Sequence, residues 1–285
     1  MALLEVDDVV VQFGGVTAVD EAAFSLESGR VTGLIGPNGA GKTTCFNVIT
    51  GLQKPTRGHV RYQGRDITSA APHRRAKKGM ARTFQRLEAF GSLTVRDNVR
   101  VALDIHHGLR GLFQRSHGSV DALLERVGIS EYAAERADSV PTGVARLLEL
   151  GRALACDPKL LLLDEPSSGL DESETDDFGE LLRELAAEGR AVLMVEHDMD
   201  LVMGVCDEIH VLDFGRVIAS GTPAEVRADR RVQEAYLGYS DADEADEFGR
   251  TRDDLAPVVP SEDSGSEADP AMAEQFTTEI PAVRR

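Results

Sequence analysis

Residues 36–44 read Gly-Pro-Asn-Gly-Ala-Gly-Lys-Thr-Thr, and no other stretch of the chain restricts its fold as strongly. The pattern G-x-x-x-x-G-K-[ST] needs a strand before it and a helix after it. Both neighbours fit: Val31 to Ile35 is a short apolar run of buried-strand length, and residues 43–51 read as a helix. Glycine lets the backbone wrap closely around an anion with N–H groups turned inward, and the helix N-terminus adds its positive dipole end. Gly36, Pro37, Asn38, Gly39, Ala40, Gly41, Lys42, Thr43 and Thr44 are therefore expected to cradle a polyphosphate. Lys42 would reach the β- and γ-phosphates of a nucleoside triphosphate, and the Thr43 hydroxyl would sit on Mg²⁺.

The rest of the chain supplies a sheet around that strand. Leu160 to Leu163 is a continuous apolar run ending in Asp164-Glu165-Pro166. Residues 172–188 carry Phe178, Leu181, Leu182 and Leu185 at i, i+3, i+4 and i+7, an amphipathic helix. Ala191 to Val195 is a second apolar run, ending in Glu196-His197-Asp198. Strand–helix–strand alternation predicts an α/β fold, a mostly parallel sheet with helices on both faces. Strands are also expected over 4–13, 22–26, 208–212 and 216–219, with a hairpin over 60–67; residues 94–138 should be mostly helical, with further helices near 222–228 and 230–237.

Ligands of open α/β sheets bind beyond the carboxyl ends of the strands. There Asp164 would hold the Mg²⁺, Glu165 would act as general base on the attacking water, and His197 would reach the γ-phosphate. Gln85, in Ala81-Arg82-Thr83-Phe84-Gln85, says nothing by itself.

Composition narrows the classes. The chain has 285 residues, 42% hydrophobic, and no apolar run near the ~18 residues that span a bilayer. Residues 1–7 lack a secretory signal, so any membrane role is expected to come through a partner. Three widely spaced cysteines, Cys45, Cys156 and Cys206, read as buried free thiols. A net charge of −18 argues against a general nucleic-acid binder. Residues 241–285 hold 13 acids and 4 bases, so −9 of that charge sits in a tail with few apolar anchors, expected to be disordered. Arg74, Arg75, Lys77, Lys78, Arg82 and Arg86 form a basic cluster, either a solvated helix face or a partner surface.

Taken together, the phosphate loop, Gln85, Leu160 to Pro166, Ser168-Gly169-Leu170-Asp171 and His197 resemble the ATP-binding-cassette (ABC) family over about residues 3–239. Phe13-Gly14-Gly15-Val16-Thr17-Ala18-Val19, Leu93-Thr94-Val95-Arg96-Asp97-Asn98-Val99, Val195 to Met199 and Glu234-Ala235-Tyr236-Leu237-Gly238 narrow it towards ATP-binding subunits of branched-chain amino acid importers. The resemblance implies a P-loop NTPase core with an N-terminal antiparallel β subdomain, a helical subdomain over about 94–155, and a separate acidic tail over 240–285. It implies ATP hydrolysis with Mg²⁺ as cofactor. Phe13 would stack on adenine, Gln85 would sense Mg²⁺ and water, Asp171 would lie across a dimer interface, and His197 would be the switch histidine. The implied partners are a second ABC ATPase subunit, membrane permease subunits and, indirectly, an extracytoplasmic solute-binding protein. The chain would then sit at the cytoplasmic face of the membrane. A urea or other small-solute importer and a weakly hydrolysing nucleotide-gated module are the alternatives.

One segment departs from the family pattern. Where ABC ATPases carry Leu-Ser-Gly-Gly-Gln, this chain has Val140-Pro141-Thr142-Gly143-Val144, and only Gly143 matches. The serine would donate to the γ-phosphate held by the partner; Pro141 has neither hydroxyl nor N–H to offer. Proline does suit a helix start, so the fold should survive while the phosphate contact weakens. A complete phosphate loop with a poor signature predicts pairing with a different subunit.

Overall fold

The computed structural model describes residues 2–107 and 117–237; the acidic segment 240–285 lies outside the described residues. The strands are β1 (Ala2–Phe13), β2 (Val16–Glu27), β3 (Val31–Ile35), β4 (Arg57–Tyr62), β5 (Arg65–Asp66), β6 (Met80–Arg82), β7 (Leu160–Asp164), β8 (Ala191–Val195), β9 (Glu208–Asp213) and β10 (Arg216–Gly221). The helices are α1 (Lys42–Thr50), α2 (Pro72–Ala76), α3 (Val95–His107), α4 (His117–Arg126), α5 (Thr142–Leu154), α6 (Glu172–Ala187), α7 (Met199–Val205), α8 (Pro223–Ala228) and α9 (Arg230–Leu237).

Two sheets organise them. The larger has six strands in the order β10-β9-β3-β8-β7-β6, and the smaller has four in the order β2-β1-β4-β5. In the large sheet β9, β3, β8, β7 and β6 pair in parallel and only β10 runs antiparallel, at the edge. The small sheet is antiparallel throughout.

The apolar runs that look uniform in sequence are divided by the pleat. Leu160 and Leu162 join one core, with Leu193, Val195 and Phe46 of α1; Leu161 and Leu163 join the other, with Val192, Met194 and Leu182 of α6. Successive side chains point to opposite faces, so a strand buried on both sides must be apolar at every position. Each fully buried leucine contributes roughly 1.5–3 kcal/mol. The first core lies between the two sheets with α1; the second is filled by α3, α5, α6 and α7.

Two elements were not expected from sequence. β6, in the stretch leading to Gln85, has only three residues and forms the edge of the large sheet against β7. α7 follows His197 directly and is capped by Asp198, whose carboxylate accepts from the Leu201 N–H at 3.0 Å. The predicted helical stretch 94–138 contains α3, α4 and a short 3-10 turn over 130–132. Cys45 and Cys206 are buried free thiols, with burial pushing both up to about 12; Cys156 is free and half-buried.

The basic cluster needs a correction. Arg74 is exposed, but Arg75 is 1% exposed. Its guanidinium donates to the Val48 and Ile49 carbonyls of α1, both at 2.7 Å, and to those of Ala70 and Thr68, both at 2.9 Å. The last carbonyls of a helix have no partner within it, so Arg75 serves as the C-terminal clamp of α1 rather than as a surface charge. Arg82 is also withdrawn from the surface, by the pairing described next.

Candidate functional site

The three chemistry-bearing strand ends converge because β3, β8 and β7 are neighbours in the large sheet. With about 4.8 Å between strands, the loop after β3 and the acids after β7 start about 10 Å apart. Asp164 pairs with Val195 in register, which brings Glu165 and His197 to the same edge.

The phosphate loop is shaped by glycines that no other residue could replace. Gly36 sits at φ 147° and Gly41 at φ 106°. A Cβ at Gly36 would run into the Leu212 carbonyl oxygen, and one at Gly41 would meet the Ala18 carbonyl oxygen and the Val19 side chain. A Cβ at Gly39 would meet nothing within 4 Å, so the open side of the loop lies there. Lys42 is buried and its ammonium donates to the Gly36 carbonyl and to that of Pro37 at 3.1 Å. Thr43 is exposed and Thr44 half-buried. α1 has no acidic residue in its first turn and no side-chain cap, leaving its positive end unscreened for an anion. Phe13 is 51% exposed at the tip of the β1–β2 hairpin, paired with Val16, a few residues from the Ala18–Val19 stretch that abuts Gly41.

Glu165 is the hub. Its backbone lies in the left-handed region, φ 49°, which a non-glycine residue rarely adopts. A hydrogen bond from its N–H to the Val195 carbonyl, at 2.8 Å, holds it there. Both carboxylate oxygens lie 3.1 Å from the Gln85 amide nitrogen, and Oε1 lies 3.3 Å from His197 Nε2. Sequence placed Gln85 some 80 positions away with no signal of its own; the structure puts it in direct contact with the candidate base.

Asp164 is 3% exposed and ion-paired with Arg82 at 2.9 Å. Arg82 also donates to Asn47 Oδ1 of α1 at 2.6 Å, and its guanidinium lies over the rings of Phe46 and Phe84 at 5.3 and 4.8 Å. Sequence reasoning missed this role, since only β6–β7 pairing brings residue 82 to residue 164. It placed Glu196 at a strand end but gave it no role; this residue is 4% exposed, and its carboxylate accepts from the Ser167 N–H at 2.7 Å and from the His197 N–H at 3.1 Å. Burial raises its pKa. An acid directly after a fully apolar strand was the available signal.

Asp171 and Gly143 lie elsewhere. Asp171 is the N-cap of α6 in a reciprocal capping box: its carboxylate accepts from the Glu174 N–H at 2.8 Å, and Glu174 accepts from the Asp171 N–H at 2.9 Å. Gly143 is buried in the first turn of α5, where a Cβ would meet the Gly169 carbonyl oxygen at 2.7 Å. Pro141 is the N-cap of α5 without a side-chain cap bond, and Val144 is 6% exposed, packed in the core.

The donors fit a nucleotide with a hard cation: glycine-shaped loop N–H groups for phosphates, and the Thr43 hydroxyl with the Asp164 carboxylate for Mg²⁺, which takes oxygen ligands. A glycine-locked phosphate loop on a central strand of a largely parallel sheet, with an acid pair at the end of the strand next but one, is the arrangement of a P-loop NTPase. Residues 19–168 match the family model described as ABC transporter, and residues 216–242 match the one described as branched-chain amino acid ATP-binding cassette transporter. The chain belongs to the ABC transporter family and is an ATP-hydrolysing ATP-binding subunit. It is 39% identical to the high-affinity branched-chain amino acid transport ATP-binding protein BraF of Pseudomonas aeruginosa, over 83% of this chain and 98% of that one. The same figures hold for LivG of Salmonella typhimurium, which bears the same description. A crystal structure of an ABC transporter cassette in its ADP conformation superimposes with a TM-score of 0.74 at 33% identity, covering 84% of this chain and 99% of that one. Among the described residues no helix is long and apolar enough to cross a membrane.

Proposed function

We propose that this chain powers the import of branched-chain amino acids, as one of two cassettes bound to membrane permease subunits at the cytoplasmic face. The observation that carries the catalytic part is the contact of one carboxylate, Glu165, with both Gln85 and His197 beside the phosphate loop. The names of its relatives support the solute class.

In this reading the loop 36–44 binds the triphosphate, Lys42 turns from the Gly36 and Pro37 carbonyls to the β- and γ-phosphates, and Phe13 stacks on adenine. Thr43, Asp164 and Gln85 hold Mg²⁺, which when bound neutralises charge on the phosphate oxygens. Glu165 takes the proton of the attacking water. His197, 3.3 Å from the Glu165 carboxylate, orients it, and Gln85 reports site occupancy. Asp171 and Gly143 would meet the second cassette; Asp171's carboxylate is already committed to capping α6.

A heterodimer is favoured by the α5 N-terminus. Pro141 offers no donor and Val144 points into the core, so this chain presents little to a partner's γ-phosphate. The test is ATP turnover of the purified chain alone, with a candidate second cassette, and as Glu165→Gln. We expect turnover to rise with the partner. The variant should lose roughly 10²–10⁴-fold in rate while trapping ATP. Equal, robust turnover per subunit without the partner refutes the heterodimer, and an active variant refutes Glu165 as base. Radiolabelled uptake in a deletion strain, comparing leucine with urea, tests the solute.

A further inference from the structure

The loop that carries Gln85 is bound along its backbone by one face of α5. Arg146 donates to the Phe84 carbonyl at 2.8 Å and to the Gln85 carbonyl. Glu149 accepts from the Glu88 N–H at 2.6 Å, and Arg152 donates to the Glu88 carbonyl at 2.7 Å. The three side chains are spaced i, i+3, i+6, so they line one side of the helix over about 9 Å. Glu149 and Arg146 are also ion-paired at 3.3 Å, with side chains 5% and 9% exposed. The Arg152 guanidinium lies over the Phe90 ring at 5.1 Å. The far end of the loop is pinned by Asn98 of α3, fully buried, which exchanges hydrogen bonds with the Phe90 N–H and carbonyl at 2.8 and 3.1 Å.

Two features make this more than packing. A loop backbone is ordinarily satisfied by its own turns or by water; here four of its hydrogen bonds go to buried or half-buried side chains of a distant helix. The helix is also the one that starts at the signature-like segment, so one rigid rod touches Gly169 at its N-terminus and Gln85 along its side.

We infer that Arg146, Glu149 and Arg152 are positioning residues that fix Gln85 to α5, and so set the Gln85–Glu165 contact by the placement of that helix. The inference rests on the proposed role of Gln85 in hydrolysis. Shifting a positioned group by about 1 Å can cost about 10²-fold in rate, and among the described residues no other contact holds the Gln85 backbone as directly. Binding of the nucleotide itself is expected to be indifferent, because the phosphate loop makes none of these contacts.

The test is a double-mutant cycle in the full-length chain with Arg146→Met, which keeps the apolar stem and removes both donors, and Gln85→Ala. For Arg146→Met we expect kcat to fall about 10- to 100-fold with the affinity for ATP within about twofold. Amide exchange should accelerate over residues 84–90 and not over α1 or β7. Arg146→Met in the Gln85→Ala background should cost nothing further. Arg152→Met should reproduce the pattern more weakly, and thermal unfolding of each variant separates misfolding from misplacement. If Gln85→Ala is impaired but Arg146→Met adds its full effect on top, or if exchange over 84–90 does not change, the clamp is refuted while the role of Gln85 stands. If Gln85→Ala turns over as wild type does, the role of Gln85 in the proposed function fails, and the inference fails with it.

Discussion

α1 and α5 both begin at glycine-bearing motifs and both lack an acid in the first turn and a side-chain cap, yet the chain holds them in opposite ways. α1 is fixed at both ends: its N-terminus by a loop in which Gly36 and Gly41 leave no room for a Cβ, its C-terminus by two hydrogen bonds from Arg75, to the Val48 and Ile49 carbonyls. α5 is fixed along its side, through Arg146, Glu149 and Arg152, and its N-terminus carries only Pro141. By contrast α6, α7 and α8 are capped by Asp171, Asp198 and Thr222. A helix end left without an acid is open to a phosphate. α1 has the apparatus to hold one tightly within its own chain. α5 has an open end with few donors, suited to a lesser contact with a phosphate held elsewhere.

The largest effect that would break this contrast is Gly36→Ala. A Cβ there meets the Leu212 carbonyl, and φ 147° is strained for any other residue, so we expect a cost of at least about 3 kcal/mol. ATP binding followed by calorimetry should be lost; a variant that binds normally would show the loop to be more adaptable than its geometry says. Next comes Arg75→Met, which leaves four buried or half-buried carbonyls short of a donor. Urea unfolding should show roughly 3 kcal/mol of destabilisation, whereas exposed Arg74→Glu should leave stability within about 0.5 kcal/mol. If Arg75→Met is equally mild, α1 is not clamped at its C-terminus.

The α5 side is probed by gain rather than loss. Pro141→Ser restores a hydroxyl at the N-cap, and one hydrogen bond to a charged group is worth about 1.5 kcal/mol, or about tenfold in turnover. Stability should change little, because the new cap (about 1 kcal/mol) is offset by the freer unfolded chain (about 0.4–1 kcal/mol). Unchanged turnover of the chain alone would mean that Pro141 does not limit it. The smallest effect concerns Glu196. Its pKa is raised by burial, so its contribution to stability is present at acid pH and is lost as pH rises through the folded value. The stability of Glu196→Gln relative to wild type should therefore improve as pH rises from the ordinary glutamate range towards neutrality; a parallel pair of pH–stability curves would contradict this.

Much of the site was legible because it is local in sequence. The glycine spacing of 36–41, the acids after Leu163 and the histidine after Val195 each sit at the end of a strand whose apolar run is visible by eye. β6 was not legible: three residues at a sheet edge carry no periodicity, and Met80 is the only one fully buried. Arg75 was misread because a charge run looks the same whether solvated or folded inward. Arg82 and the α5 face were invisible for a related reason, since their partners are 82 and about 61 positions away.

Short-range pattern was thus enough to specify which residue types stand at which strand ends, because loop conformation and strand burial depend on neighbours within a few residues. Which of those ends touch, which arginines become internal clamps and how Gln85 reaches Glu165 depended on sheet order and helix packing. Those contacts join residues far apart in the chain, and only the side chains' final distances decide whether a charge is solvated, paired or set to work.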